Sequence, residues 1–369
     1  MDNRLLQELN EKKYKIGTAD VIRMDDKLWF TSNTYNCLFC MDIASEKIKL
    51  IGSFPNEMFA QSLLYYQMES VGDKIYFAPC FAKEIGVYDI KRNEFEKIKI
   101  DEKMIRVKQG YDRFYGIQKY NNFLFFIPGY SKTIIRLNVE NHEVQYVNEW
   151  SEKIEGNYSA MDAFFWEQRV LRGNKLFLPF FNMNAILELN CDTLDCVIRK
   201  IDIEETGYSG ICDEGDIIWL YTRQGGNLIG WNPENTQITK VDVYKEGIGA
   251  VWSWDSLVRI IKHNKNIELF GAMQSQRTIN EKESQITVND AGYLFARDKE
   301  DYIIFCERDT CLLTVIDKKS NKSFVIDLST SIRFADMKKI IEEVGSIEET
   351  RESTLEDFLT EINDNKLIN

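Results

Sequence analysis

The chain has 369 residues, of which 44% are hydrophobic, and its 17 Tyr, 22 Phe and 7 Trp favour strands. A formal charge of −13 with dispersed Lys and Arg excludes nucleic acid and an anionic membrane as the main partner, since either calls for clustered basic residues. Met1 to Glu8 lacks the basic-then-apolar layout of a secretory signal, no run approaches the roughly 18 apolar residues of a membrane span, and the eight cysteines then read as free thiols, so a cytoplasmic protein is expected.

Residues 1–13 read as a short helical segment. From residue 14 a unit recurs: a turn-forming residue, an apolar run and, seventeen positions after the turn, Asp or Asn. The pairs are Asp25/Asp42, Gly72/Asp89, Asn121/Asn138, Gly173/Asn190, Gly215/Asn232 and Glu300/Asp317. The first anchor supplies the positive φ of a tight hairpin. A second strand follows it, as in Leu28-Trp29-Phe30, Ile75-Tyr76-Phe77 and Leu124-Phe125-Phe126. The third strand ends on the Asp or Asn, whose side chain can bond the next turn, and a fourth closes the unit. Between 215 and 300 the interval is about double, and Asn264 to Phe270 has the turn-then-strand shape of a missing unit. Four-stranded units of about 40 to 50 residues are propeller blades. The expected fold is all-β, a seven-bladed β-propeller over residues 14–330, with a six-bladed ring and an irregular insertion near 270–300 as the alternative. Residues 331–369 read as a helical tail. There Ser353 and Glu356 have capping-box spacing, and Leu355, Phe358, Leu359 and Ile362 share one face of a helix over 353–363, either a rim cap or a docking element for a partner.

The segments Leu38-Phe39-Cys40-Met41-Asp42-Ile43-Ala44-Ser45-Glu46-Lys47 and Cys311 to Lys322 resemble the "strand, Asp, short polar turn" signature of YVTN-type and lactonase-like propellers, and more distantly of kelch and WD40 repeats. Kelch's paired glycines and WD40's Gly-His dipeptide are missing, so the resemblance concerns blade geometry and brings no site with it. Lactonase-like propellers hold calcium with Glu, Asn and Asp in the channel. In this chain Asn157, Asp162 and Asp255 are oxygen ligands of the right chemistry on different blades; no cofactor is expected, calcium is the one these residues could take, and a metal-dependent hydrolase is the alternative function.

Strand order puts the anchor hairpins at one end of the ring and the longer, aromatic-rich connections at the other, the end where function is expected. Pro79, Pro128 and Pro179 end second strands there, beside Tyr130 and Phe181. The blade-joining loops add Tyr111, Asp112, Arg113, Asn157, Tyr158, Asp162, Tyr208, Trp252, Trp254 and Asp255, and Arg223 stands in a neighbouring loop. Any one ring reads plainly as interblade core. Together they outline an aromatic and polar basin that suits a protein, peptide or glycan. The two histidines, His142 and His263, both fall in anchor-end turns, so a histidine base at the loop end is not expected. Cys37 and Cys40 have no second pair at zinc-site spacing. The expectation is a non-enzymatic binding or scaffold protein.

Overall fold

The computed structural model describes residues 17–33, 35–58, 63–105, 107, 112–154, 163–204, 206–223, 226–242, 258–263, 266–271, 276–280, 286–289, 292–308 and 310–328. The segments expected to be helical at residues 1–13 and 331–369 lie outside them. Among the described residues, 28 strands pair into seven four-stranded antiparallel sheets, each built from consecutive strands. Each sheet runs from an inner to an outer strand. The inner strands are β1 (Val21–Met24), β5 (Tyr65–Val71), β9 (Phe114–Tyr120), β13 (Val170–Arg172), β17 (Tyr208–Glu214), β21 (Val258–His263) and β25 (Tyr293–Asp298). The outer strands are β4 (Lys47–Gly52), β8 (Glu94–Ile98), β12 (Val144–Val147), β16 (Cys196–Lys200), β20 (Ile238–Asp242), β24 (Ile286–Asn289) and β28 (Ser323–Asp327). Two single-turn helices, α1 (Glu102–Ile105) and α2 (Glu149–Glu152), sit in the connections leaving the second and third sheets. The architecture is an all-β propeller of four-stranded blades. No helix among the described residues is long and apolar enough to cross a membrane.

Apolar clusters fill the interfaces between successive sheets. Tyr76 and Val87 meet Phe126 between the second and third, and Phe125 and Trp150 meet Leu178 between the third and fourth. Phe177, Tyr208 and Trp231 join the fourth and fifth. Further clusters join the fifth to the sixth and the sixth to the seventh. One cluster then packs Phe295, Ile304 and Val315 of the last sheet with Phe30 and Phe39 of the first and Phe77 of the second. The first and last sheets are tied further by Arg23 N–H donating to Tyr302 OH at 2.8 Å and Arg297 Nη2 donating to Ala19 O at 3.0 Å. No strand is exchanged between sheets among the described residues, so closure rests on packing and these bonds.

The seventeen-residue spacing has a hydrogen bond behind it. The amide after each second anchor donates to the carbonyl after the first: Ile43 to Asp26, Ile90 to Asp73, Val139 to Asn122, Cys191 to Asn174 and Lys318 to Asp301. The fifth sheet lacks the bond because Pro233 stands at the donor position and has no N–H. The first anchors Asp25, Gly72, Asn121, Gly173 and Gly215 all have positive φ, whereas Glu300 does not. The second anchors accept turn amides, for example Ser45 N–H to Asp42 Oδ1 at 2.8 Å and Glu140 N–H to Asn138 Oδ1 at 2.9 Å. Pro79, Pro128 and Pro179 each end the second strand of a blade, as expected of a residue without a donor.

Inner strands present an unpaired edge to the channel axis, and their amides need partners. Side chains from neighbouring blades supply them. Asp20 Oδ2 accepts from Met68 N–H at 2.9 Å and Gln67 Oε1 from Ile117 N–H at 3.3 Å. Gln168 Oε1 accepts from Ile211 N–H at 3.3 Å and Ile260 N–H at 2.8 Å. These stitches fix the spacing of the inner strands and carry polar groups into the axis.

Candidate functional site

Three levels stack along the axis. At the loop end, Tyr66, Cys80, Tyr115, Ala163, Trp166 and Phe181 form a buried cluster with half-buried Phe81 and Tyr130 against it. Trp166 stacks on Phe181 with ring centroids 5.4 Å apart and planes at 24°. Tyr115 meets Trp166 at 4.8 Å, Tyr66 at 5.2 Å and Tyr130 at 6.3 Å. The Arg223 guanidinium lies 4.0 Å from the Phe181 ring centroid, cation–π geometry, and bonds Asn182 Oδ1. Tyr115 donates to Asp112 Oδ2, while burial pushes the Asp112 carboxyl above its usual range against the pull of that bond. Arg113 pairs with Glu102 at 2.7 Å.

Beneath this layer sits Glu167, 1% exposed. Arg259 donates to both of its oxygens at 2.8 Å, Arg297 Nη1 to Oε2 at 2.7 Å, and Tyr66 OH to Oε1. Burial alone would raise the Glu167 pKa, but the two guanidiniums outweigh it and hold the carboxyl at about 2. Arg259 is also anchored on the carbonyls of Tyr293 and Leu294, at 3.2 and 2.9 Å. The acid is thus ionised, fully bonded and sealed. A group so engaged has no open lone pair for proton transfer.

Below the plug the axis opens at the short-turn end into a funnel of about 730 Å³, lined among others by Glu69, Gln118, Arg169, Arg297 and Lys299. This cavity was not foreseen; the loop end was expected to hold the opening. Arg169 fits there because Gly116 stands beside it: a Cβ on Gly116 would come within 2.8 Å of Arg169 Nη1.

Of the residues expected to form the basin, Asp112, Tyr130 and Phe181 come together at the loop end, with Arg113 in the adjoining connection. Tyr208 goes elsewhere, into the apolar interface between the fourth and fifth sheets. Tyr111, Asn157, Tyr158, Asp162, Trp252, Trp254 and Asp255 lie outside the described residues, and so does the calcium trio. Among the described residues no group of three or more His, Cys, Asp or Glu could hold a metal ion. His142 occupies a hairpin turn with φ 60°, and His263 ends β21. All eight cysteines are free and buried. Burial pushes up the thiols of Cys37, Cys80, Cys212 and Cys306, and those of Cys40 and Cys196 to about 11 and Cys191 to about 12, which disfavours the nucleophilic thiolate.

Tyr66, Glu167, Arg259 and Arg297 were missed from sequence, although the last two carried a signal. Arg259 is a lone arginine inside an apolar inner-strand run, Val258-Arg259-Ile260, and Arg297 closes another, Phe295-Ala296-Arg297. A buried arginine demands a buried acid, and that demand pointed to the axis.

No protein-family profile and no curated protein matches the chain by sequence. Among solved structures, the chain is similar to a catalytically inactive His-to-Ala virginiamycin B lyase from Staphylococcus aureus with quinupristin. The TM-score is 0.60 at 15% identity, covering 81% of this chain and 94% of that one. It is also similar to Saccharomyces cerevisiae Sqt1, with TM-score 0.58 at 10% identity over 85% and 86% of the two chains. The computationally designed protein Ika8 matches with TM-score 0.56 at 7% identity over 87% and 91%. At these identities the likeness shows a shared propeller fold.

Proposed function

We propose that this chain is a non-enzymatic binding protein of the cytoplasm, a seven-bladed propeller that takes a protein, peptide or glycan on its loop face. Seven described sheets with clusters at every interface support that blade count over the six-bladed alternative. The observation that carries the binding reading is the continuous aromatic layer from Tyr66 through Tyr115 and Trp166 to Phe181, lined at its edge by half-buried Tyr130, Asp112 and Arg223. Rings flanked by hydrogen-bonding groups match the chemistry of recognition surfaces, where a few aromatic and arginine anchors supply most of the affinity. The locked state of Glu167 supports binding over catalysis. The staphylococcal lyase is inactive as a His-to-Ala variant, whereas both histidines here stand at the short-turn end. Eight free thiols suit a reducing compartment.

Screening peptide and glycan arrays against the purified chain tests the reading. A selected ligand should quench or shift tryptophan fluorescence. Phe181→Ala and Tyr130→Ala should each weaken it by roughly 1–3 kcal/mol, about 5- to 150-fold, as anchor truncations do. A ligand bound equally well by both variants, with unchanged melting temperatures, would place recognition elsewhere.

A further inference from the structure

The geometry points to a second site, distinct from the loop face: the funnel at the short-turn end binds a small oxyanion, a carboxylate or a phosphate group, between Arg169 and Lys299. The cavity, about 730 Å³, is in the size range of small-molecule sites.

Ion pairing singles out Arg169, which has no carboxylate of the described residues in pairing distance, beside Lys299, whose pair with Glu69 is long at 3.5 Å. Arg297 answers Glu167 at 2.7 Å and Asp20 at 3.4 Å, and Lys318 pairs with Asp298. Arg172 takes Asp213 at 2.5 Å and Arg23 reaches Asp317 at 3.7 Å. Arg169 instead donates only to neutral oxygens. Its Nε reaches Gln118 Oε1 at 3.2 Å, its Nη1 reaches Gln67 Oε1 and the Glu167 carbonyl, and its Nη2 reaches the Ile117 carbonyl. A guanidinium has five N–H groups, so one Nη2 hydrogen stays uncommitted. The head is half-buried and lines the funnel. Lys299 Nζ has only long contacts, 3.4 Å to Met68 O and 3.5 Å to Glu69 Oε2.

The guanidinium of Arg169, bonded only to neutral oxygens, gives the sign of the ligand. At Arg169, burial first and then Arg297 pull the pKa down to about 10, against the opposing pull of Glu69, Asp20 and Glu167. The Glu167 carboxylate is already fully engaged, so it offers a cation no open partner. An oxyanion would receive charge-assisted bonds from the free Nη2 hydrogen and the ammonium while relieving the repulsion between them.

Calorimetric titration of the full chain with inorganic phosphate at low ionic strength, against chloride at matched ionic strength, tests this. Succinate titrated in parallel shows which headgroup the site prefers. The expected result is saturable one-to-one binding of at least one of the two anions, with a rise in melting temperature. Lys299→Gln, a peripheral change, and Arg169→Gln should each weaken binding at least tenfold. Absence of saturable binding by either anion would overturn the proposal, and so would Lys299→Gln retaining wild-type affinity. Phe181→Ala should leave phosphate binding intact, so this outcome is separate from that of the loop-face test.

Discussion

Glu167 shares its two oxygens among two arginines and a tyrosine drawn from three other blades. Removing one partner from a buried ionic set leaves an uncompensated charge, which costs about 3–5 kcal/mol. Glu167→Gln should therefore lower stability by that order in urea unfolding. The pH dependence follows from the depressed carboxyl. Its folded pKa of about 2 lies below the usual value of 4.5, so its contribution is complete above pH 4.5 and fades as pH falls toward 2. By linkage that contribution is about 3 kcal/mol. Wild type should lose stability across this window, and Glu167→Gln should lose measurably less. Residues of this kind were hard to read from sequence because Arg259 and Arg297 lie 92 and 130 positions from their acid. Local pattern can mark a buried arginine but cannot name its acid.

Hairpins obey the opposite rule. Four positions after each described second anchor a residue adopts positive φ: Glu46, Asn93, His142, Leu194, Thr236 and Asn321. In the later blades the same residue donates its amide to the anchor carbonyl, as His142 does to Asn138 and Thr236 to Asn232. His142 is therefore a turn residue, consistent with its assignment from sequence. Strands, anchors and terminating prolines were all legible, because each depends on hydrogen bonds between residues close in the chain. The pattern also exposes a strained position. Thr236 is β-branched at φ 61°, a conformation that such residues resist and Asn tolerates. Thr236→Asn should add about 0.5–1 kcal/mol, and Asn321→Thr should remove a similar amount, both measurable as shifts in denaturation midpoint.

At the scale of the whole molecule, repeat counting gave the propeller but not its closure or its axis. The first and last sheets meet through Phe30, Phe39, Phe295 and Val315, contacts between chain ends that no repeat unit encodes. The loop face was legible in part. Tyr130, Phe181 and Asp112 converge as their place in strand order suggests, whereas Tyr208, from a blade-joining stretch like that of Asp112, turns into the interblade core. A ring ahead of an inner strand can point either to the axis or to the neighbouring sheet, and one residue of register decides which. Short turns rarely frame cavities, but here the plug at Glu167 sits high enough on the axis to leave the funnel below it.

Hydrogen exchange of the complex with an array-selected ligand tests the central claim most directly. Amides at 63–66, 113–116, 129–131 and 180–184 should exchange more slowly on binding, while the anchor hairpins at 25–26, 72–73 and 121–122 stay unchanged. Protection confined to those hairpins would contradict a loop-face binding platform.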